Sequence, residues 1–254
     1  MQHAIGLDEF LHGPLARRAA VLADLDGCLI SGETVLPHVA SLMAHCDGRV
    51  WIVSNNSTDT AAGLSSRLAS LGIDIPAAQI LLAGEETLRA IARDCPRARV
   101  AMFCTPALRD LALDLALRPD RTSPEIVFLA RDTGFCFDDL AQLVALAHRG
   151  VPVRLSNPDP VHPAADGTPV PETGALWAAL TCAVPGAVHE CIGKPAPDML
   201  RRALARAGVL PGAAVFIGDT AATDGAAARA AGIDFVLLRR PGAEIALKSG
   251  AVGC

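Results

Sequence analysis

Short apolar runs that end abruptly in small polar residues recur along this chain, with helically spaced stretches between them. The first lies within Ala19–Leu29, where Val21 and Leu22 lead into Asp24, Asp26 and Gly27. A run of that length reads as a buried strand of a parallel sheet. The second, Arg49–Val53, closes on Ser54-Asn55-Asn56-Ser57-Thr58. A third, Ala214–Ile217, closes on Gly218-Asp219-Thr220, and Asp224 opens the next helix. Phe235–Leu238 predicts the last strand, and Arg99–Phe103, Glu125–Ala130 and Val151–Leu155 predict three more in the middle.

Helices are expected over Leu7–Arg18, Val39–Cys46, Asp59–Leu71, Glu85–Arg93 and Ala107–Leu117. Two more are expected over Phe137–Arg149 and from about Pro197 to Ala207, the latter stopped by Gly208. In the Phe137 helix, Phe137, Leu140, Val144 and Ala147 share one face, and Asp138 and Asp139 suit the N-terminal dipole. Two segments resist a regular reading. Leu29–Pro37 reads as an irregular flap over the carboxylates, and Ser156–Thr173 as a long loop rich in Pro, Asp and Gly. Loops of that length are usually functional. Alternating strands and helices imply an α/β fold with a largely parallel sheet.

At 254 residues the chain suits one large or two modest domains. A hydrophobic content of 51% supplies a sizeable core, yet no uncharged apolar stretch approaches the roughly 18 residues of a membrane span. The N-terminal residues lack a basic region followed by an apolar one, which argues against a signal peptide. The eight cysteines form no C-x-x-C pair, and Cys28, Cys104 and Cys182 lie among apolar residues. They read as small core residues of a reducing, cytoplasmic protein. A net charge of −5 offers no basic footprint for nucleic acid.

Open α/β sheets bind ligands at the C-terminal edge of their strands. D-x-D-G at such an edge is either a metal site or an acid and nucleophile pair, although Asp and Gly also make ordinary turns. Small polar groups before a helix N-terminus, as at Ser54 and Asn55, cap the helix or favour an oxyanion. If these edges lie on one side of one sheet, Asp24, Asp26, Ser54, Asn55, Lys194, Asp219 and Asp224 form a single cluster. Its four carboxylates call for a divalent cation, and oxygen ligands suit Mg²⁺. Ser54 and Lys194 have no part in a structural metal site but fit a bound phosphate. Only two of the 22 basic residues are lysines, Lys194 and Lys248, and a compact point charge suits a tight phosphate pocket. Such a cluster predicts phosphoryl transfer. Asp24 attacks phosphorus, and Asp26 protonates the leaving oxygen and later takes a proton from water. The cation, Lys194 and Ser54 neutralise the equatorial oxygens.

In order, DLDGCL, SNNS, GKP and GDTAATD resemble the four motifs of the haloacid dehalogenase superfamily of phosphatases. The long gap between Asn55 and Lys194 resembles the class IIA branch, which inserts an α/β cap there. SNPDPVHPAADG followed by TGAL is similar to that branch's substrate-specificity loop, and DP-x-HP-x-x-DG to pyridoxal phosphatases in particular. The resemblance implies a Rossmann-like core over residues 1–82 and 182–254, with the cap over 83–181. It implies Mg²⁺ held by Asp24, the Asp26 carbonyl and Asp219, with Asp224 in support. Asn157, Asp159, His162 and Pro163 are expected to face the substrate, and dimerisation through the cap is usual in such families. Two departures touch the substrate. The chain has no tyrosine, and the resemblance places Arg131 or its neighbours at a cap position that is aromatic in pyridoxal phosphatases. Glu172 stands where a glycine is usual. The expected substrate is a small phosphomonoester, with pyridoxal 5′-phosphate first and phosphoglycolate, a sugar phosphate or a nucleotide monophosphate as alternatives. A receiver-type phosphoacceptor lacks both the cap insertion and an acid two residues beyond its nucleophile. Schiff-base phosphonate cleavage needs a cap lysine, and none precedes Lys194.

Overall fold

The computed structural model describes residues 3–164 and 168–239. Two five-stranded parallel sheets organise it. In the first, the strands run in the order Asp234–Leu237, Ala214–Gly218, Ala20–Ala23, Val50–Ser54, Ile80–Leu82. The central strand pairs Leu22 with Phe216 on one side and Trp51 on the other. Its alternate residues enter different cores: Val21 and Ala23 pack with Ile52 and Val215, whereas Ala20 and Leu22 pack with Val53 and Phe216. Burial on both faces is why the run is apolar without alternation.

The second sheet runs His189–Cys191, Val153–Leu155, Ile126–Leu129, Arg99–Phe103, Arg118–Pro119. It too separates two cores, with Val100, Met102 and Phe128 on one face and Phe103, Val127 and Leu155 on the other. The strand His189–Cys191 pairs with Val153–Leu155. The cap therefore extends through Cys191, and the expected return to the core at residue 182 is too early. Leaving the core, helix Ala83–Asp94 is fastened by two buried acids. Glu85 Oε2 accepts the Ala61 N–H, and Glu86 pairs with Arg202 at 2.9 Å and with Arg206.

Other expectations shift in detail. Leu29–Pro37 forms a short hairpin, Ile30–Ser31 against Thr34–Val35, instead of an irregular flap. The Ser156–Thr173 loop contains an antiparallel hairpin, Val161–Pro163 against Pro169–Pro171. Its prolines masked it, since proline is tolerated only at strand edges. The N-terminal helix is broken into a short helix, Leu7–His12, and a 3₁₀ turn, Pro14–Arg17. In helix Phe137–His148 the buried residues are Leu143 and Leu146, whereas Phe137 is 82% exposed. Cys182 is exposed, so it is not a core residue. Among the described residues no helix is long and apolar enough to cross a membrane.

Candidate active site

The C-terminal ends of three neighbouring core strands bring the predicted cluster together. Asp24 follows the central strand, where its N–H donates to the Ile217 carbonyl at 2.9 Å. Gly27, with φ of 80°, takes the left-handed conformation that turns the chain back, and its N–H donates to the Ile30 carbonyl at 2.8 Å. Asp219 and Asp224 follow the adjacent strand. A Cβ on Gly218 would lie 2.5 Å from an Asp224 oxygen, so only glycine permits this approach.

Lys194 lies at the centre, 2% exposed. Its Nζ is 2.7 Å from Asp24 Oδ1 and 2.8 Å from Asp224 Oδ1. Asp24 Oδ1 also accepts the Leu25 N–H at 2.8 Å, and Asp224 Oδ2 accepts the Thr220 N–H at 3.1 Å. Burial opposes the lysine's charge, but Asp224 and Asp24 outweigh it and raise the ammonium above its ordinary value. Burial also pushes Asp24 up to about 8, against the pull of Lys194, with Asp224 and Asp219 adding to the rise. One ammonium therefore does not compensate these carboxylates. Asp26, two residues beyond Asp24, is exposed. Burial of its surroundings raises its carboxyl, while Arg67, His162 and Lys194 pull it down.

The two carboxylates Asp24 and Asp219 fit a hard divalent cation, whereas the soft Cys28 thiol beside them does not. Oxygens of Asp24 and Asp219 and the Cys28 thiol all lie within 4.8 Å of one another. Carboxylates this close, with a pKa raised at Asp24, are stabilised by a cation beside them. Cys28 escaped the sequence reading because it looks like a small core residue, and the structure buries it against the acids.

Two predicted binding residues have other work. Asn55 was expected to bind phosphate, but Oδ1 accepts the Lys194 N–H at 2.8 Å. Its Nδ2 donates to the Lys194 carbonyl at 2.9 Å and to Asp159 Oδ2 at 2.8 Å. With both amide hydrogens engaged, the side chain has no donor left for a phosphate and clamps Lys194, which leaves the expected phosphate contact to the Asn55 main-chain N–H. Asn157 was expected to face the substrate, yet it is buried. Its Nδ2 lies 2.9 Å from the Asn55 carbonyl, 3.2 Å from Ser57 Oγ and 3.3 Å from Thr173 Oγ1. Ser57, Ser156 and Thr173, also buried, complete this core-to-cap latch, which no local sequence pattern announces. Asn157→Ala strips the latch of its shared donor. Stability should fall by about 2–3 kcal/mol, as when buried polar groups lose their partner. Urea denaturation measures this, and a loss below about 0.5 kcal/mol, ordinary for a surface change, would refute the latch.

The remaining residues fall as follows. Ser54 is buried, and its Oγ accepts the Asn56 N–H at 3.1 Å. Asp159 joins the latch through Asn55, and burial raises its carboxyl. His162 and Arg131 both approach Glu172 on the cap. Pro163 falls in the strand Val161–Pro163, while its side chain lies outside the described residues, as do positions 165–167 and Lys248.

Buried carboxylates held by one lysine at parallel strand ends, under an inserted α/β cap, define a phosphatase of the two-domain α/β type. Comparison with known proteins agrees. The family model for haloacid dehalogenase-like hydrolases matches residues 18–232, and the chain belongs to that family. It is 30% identical over 226 residues to dihydroxyacetone phosphatase of Corynebacterium glutamicum, covering 86% of this chain and 80% of the relative. It is 32% identical over 235 residues to human chronophin, covering 84% and 78%. The structure of glycerol phosphate phosphatase from Mycobacterium tuberculosis in complex with magnesium superposes with a TM-score of 0.80 at 27% identity, covering 89% of this chain and 70% of that one. Within the family the protein is a class IIA phosphatase.

Proposed function

We propose that this phosphatase hydrolyses a small phosphorylated metabolite with Mg²⁺, through an aspartyl-phosphate on Asp24. The observation that carries the reading is Lys194, buried between Asp24 and Asp224 where a phosphoryl group must sit to be attacked. A carboxylate oxygen of Asp24 bonds to phosphorus as the ester P–O bond breaks, and Asp26 gives its proton to the departing oxygen. Water then attacks phosphorus, Asp26 takes its proton, and the bond to Asp24 breaks to release phosphate. Burial of its surroundings raises the Asp26 carboxyl above its ordinary value, the direction that favours a group acting as general acid. Asp24, Asp219 and the main chain at Asp26 would hold the cation, which supplies charge neutralisation to the phosphoryl oxygens. Lys194 and the Ser54 hydroxyl add to that neutralisation from the protein side.

Pyridoxal 5′-phosphate is the first candidate, on the DPVHPAADG loop. Dihydroxyacetone phosphate is the second, favoured by the named activity of the Corynebacterium relative. Assays of the purified protein against a panel of phosphomonoesters, with Mg²⁺ and with chelator, test the reading. Absence of metal-dependent turnover on every ester would overturn it. Asp26→Asn should lower kcat by ~10²–10⁴-fold on alkyl phosphates, the usual worth of general acid–base catalysis. The loss should be smaller on p-nitrophenyl phosphate, whose leaving group needs little protonation. Equal losses on both would count against Asp26 as the acid.

A further inference from the structure

Three separate segments converge on Glu172, and one of them brings His162 close enough to pull on the Asp26 carboxyl. Arg131 follows the strand Ile126–Leu129, His162 lies on the Pro-rich hairpin, and Glu172 is the N-cap of helix Thr173–Ala183. Glu172 Oε2 accepts the Thr173 N–H at 3.4 Å. Its Oε1 lies 2.8 Å from His162 Nδ1 and 3.6 Å from Arg131 Nε. The histidine contact is short but poorly aligned, so it is charge against ring and not a full hydrogen bond. Arg131 Nε also donates to the Pro171 carbonyl at 3.3 Å. One mostly buried carboxylate thus holds both Arg131 and His162.

We propose that Glu172 is a specificity-determining residue. By neutralising Arg131 and pinning His162, it makes the cap favour an uncharged, hydroxylated leaving group over one that carries a second anion. The proposal rests on the phosphomonoesterase reading above. A free guanidinium on a cap wall would recruit a leaving-group carboxylate through paired hydrogen bonds. Here the Arg131 charge is already answered, and an incoming carboxylate would meet Glu172 from the cap and Asp26 from the core, the cation answering Asp24 and Asp219. Arg67 and Lys194 offset part of that field from the core side, and Asp159 adds to it from the cap. Like charges in a poorly solvated cleft repel strongly, and such a repulsive element is an effective way to exclude a competitor.

The test compares wild type, Glu172→Gln and the double variant Glu172→Gln/Arg131→Met, each with Mg²⁺. Probes are 2-phosphoglycolate, whose leaving group carries a carboxylate, dihydroxyacetone phosphate, and p-nitrophenyl phosphate as reference. Glutamine keeps the size and the capping oxygen of Glu172, so the helix start is preserved. Wild type should favour dihydroxyacetone phosphate over phosphoglycolate. Glu172→Gln should raise kcat/KM for phosphoglycolate, relative to the reference, by about tenfold, the scale of one added charge-assisted hydrogen bond. The gain should appear in KM, and Arg131→Met should remove it. An unchanged phosphoglycolate to dihydroxyacetone phosphate ratio in Glu172→Gln, or a gain that survives Arg131→Met, would overturn the role of Glu172 while leaving the phosphatase reading intact. No turnover of any probe by wild type would overturn that reading and the proposal with it.

Discussion

Asp24→Asn should reduce kcat by about 10⁴-fold or more, because the amide cannot form the covalent intermediate. The same change should leave the metal-free protein no less stable at pH 8. Burial and its acidic neighbours raise Asp24 in the fold from 3.8 to about 8. A carboxyl whose pKa is higher folded than unfolded stabilises the fold while protonated. That contribution is complete below the unfolded value and is lost as pH rises towards the folded one. At pH 8 the ionised carboxylate is therefore a burden that the amide does not carry. Thermal melts in chelator should place the variant at or above wild type at pH 8, with the difference shrinking towards pH 4. Wild-type kcat in the variant would end the covalent mechanism. Loss of cooperative unfolding would make Asp24 a structural residue instead.

Lys194→Met should fail on both counts. The thioether fills much of the same volume but leaves Asp24 and Asp224 facing each other with no cation between them. Removing one partner of a buried ion pair typically costs about 3–5 kcal/mol, since the other charge stays buried and uncompensated. Turnover should fall by about 10²–10³-fold, the usual loss when one donor to a developing oxyanion is deleted. The stability deficit has a pH signature. Without the ammonium, the Asp24 carboxyl rises further, so acid should protonate it and relieve the repulsion. Urea denaturation in chelator should show a large deficit at pH 8.5 and a smaller one at pH 5.5. A deficit that grows towards acid would mean that Lys194 serves some contact other than these carboxylates.

The parallel strands of both sheets were legible because burial on two faces writes an uninterrupted apolar run, as in Ala20–Ala23 and Ile126–Leu129. Where that condition fails, the pattern is silent. His189–Cys191 is a sheet edge whose His189 and Glu190 are exposed, so nothing in HEC announces a strand, and the cap boundary fell too early. Ile80–Leu82 is fully buried but only three residues long. The candidate cluster was legible for a related reason, since Asp24 and Asp219 sit where an apolar run stops, Asp224 opens the following helix, and Lys194 is one of only two lysines in the sequence. The roles of Asn55 and Asn157 were not. Each is decided by a partner about a hundred or more residues away, on a loop whose approach depends on how the cap is seated. Sequence spacing carries no record of that seating.

The clamp at Asn55 makes one amide the fastening for two things that a lidded enzyme could have kept apart. It grips the Lys194 main chain on both sides and, through Asp159, the cap. The seat of the lysine and the fastening of the cap thus share one side chain: two of its three bonds hold the Lys194 main chain, and the third reaches across to Asp159. Any substitution at Asn55 would therefore be felt in both places at once.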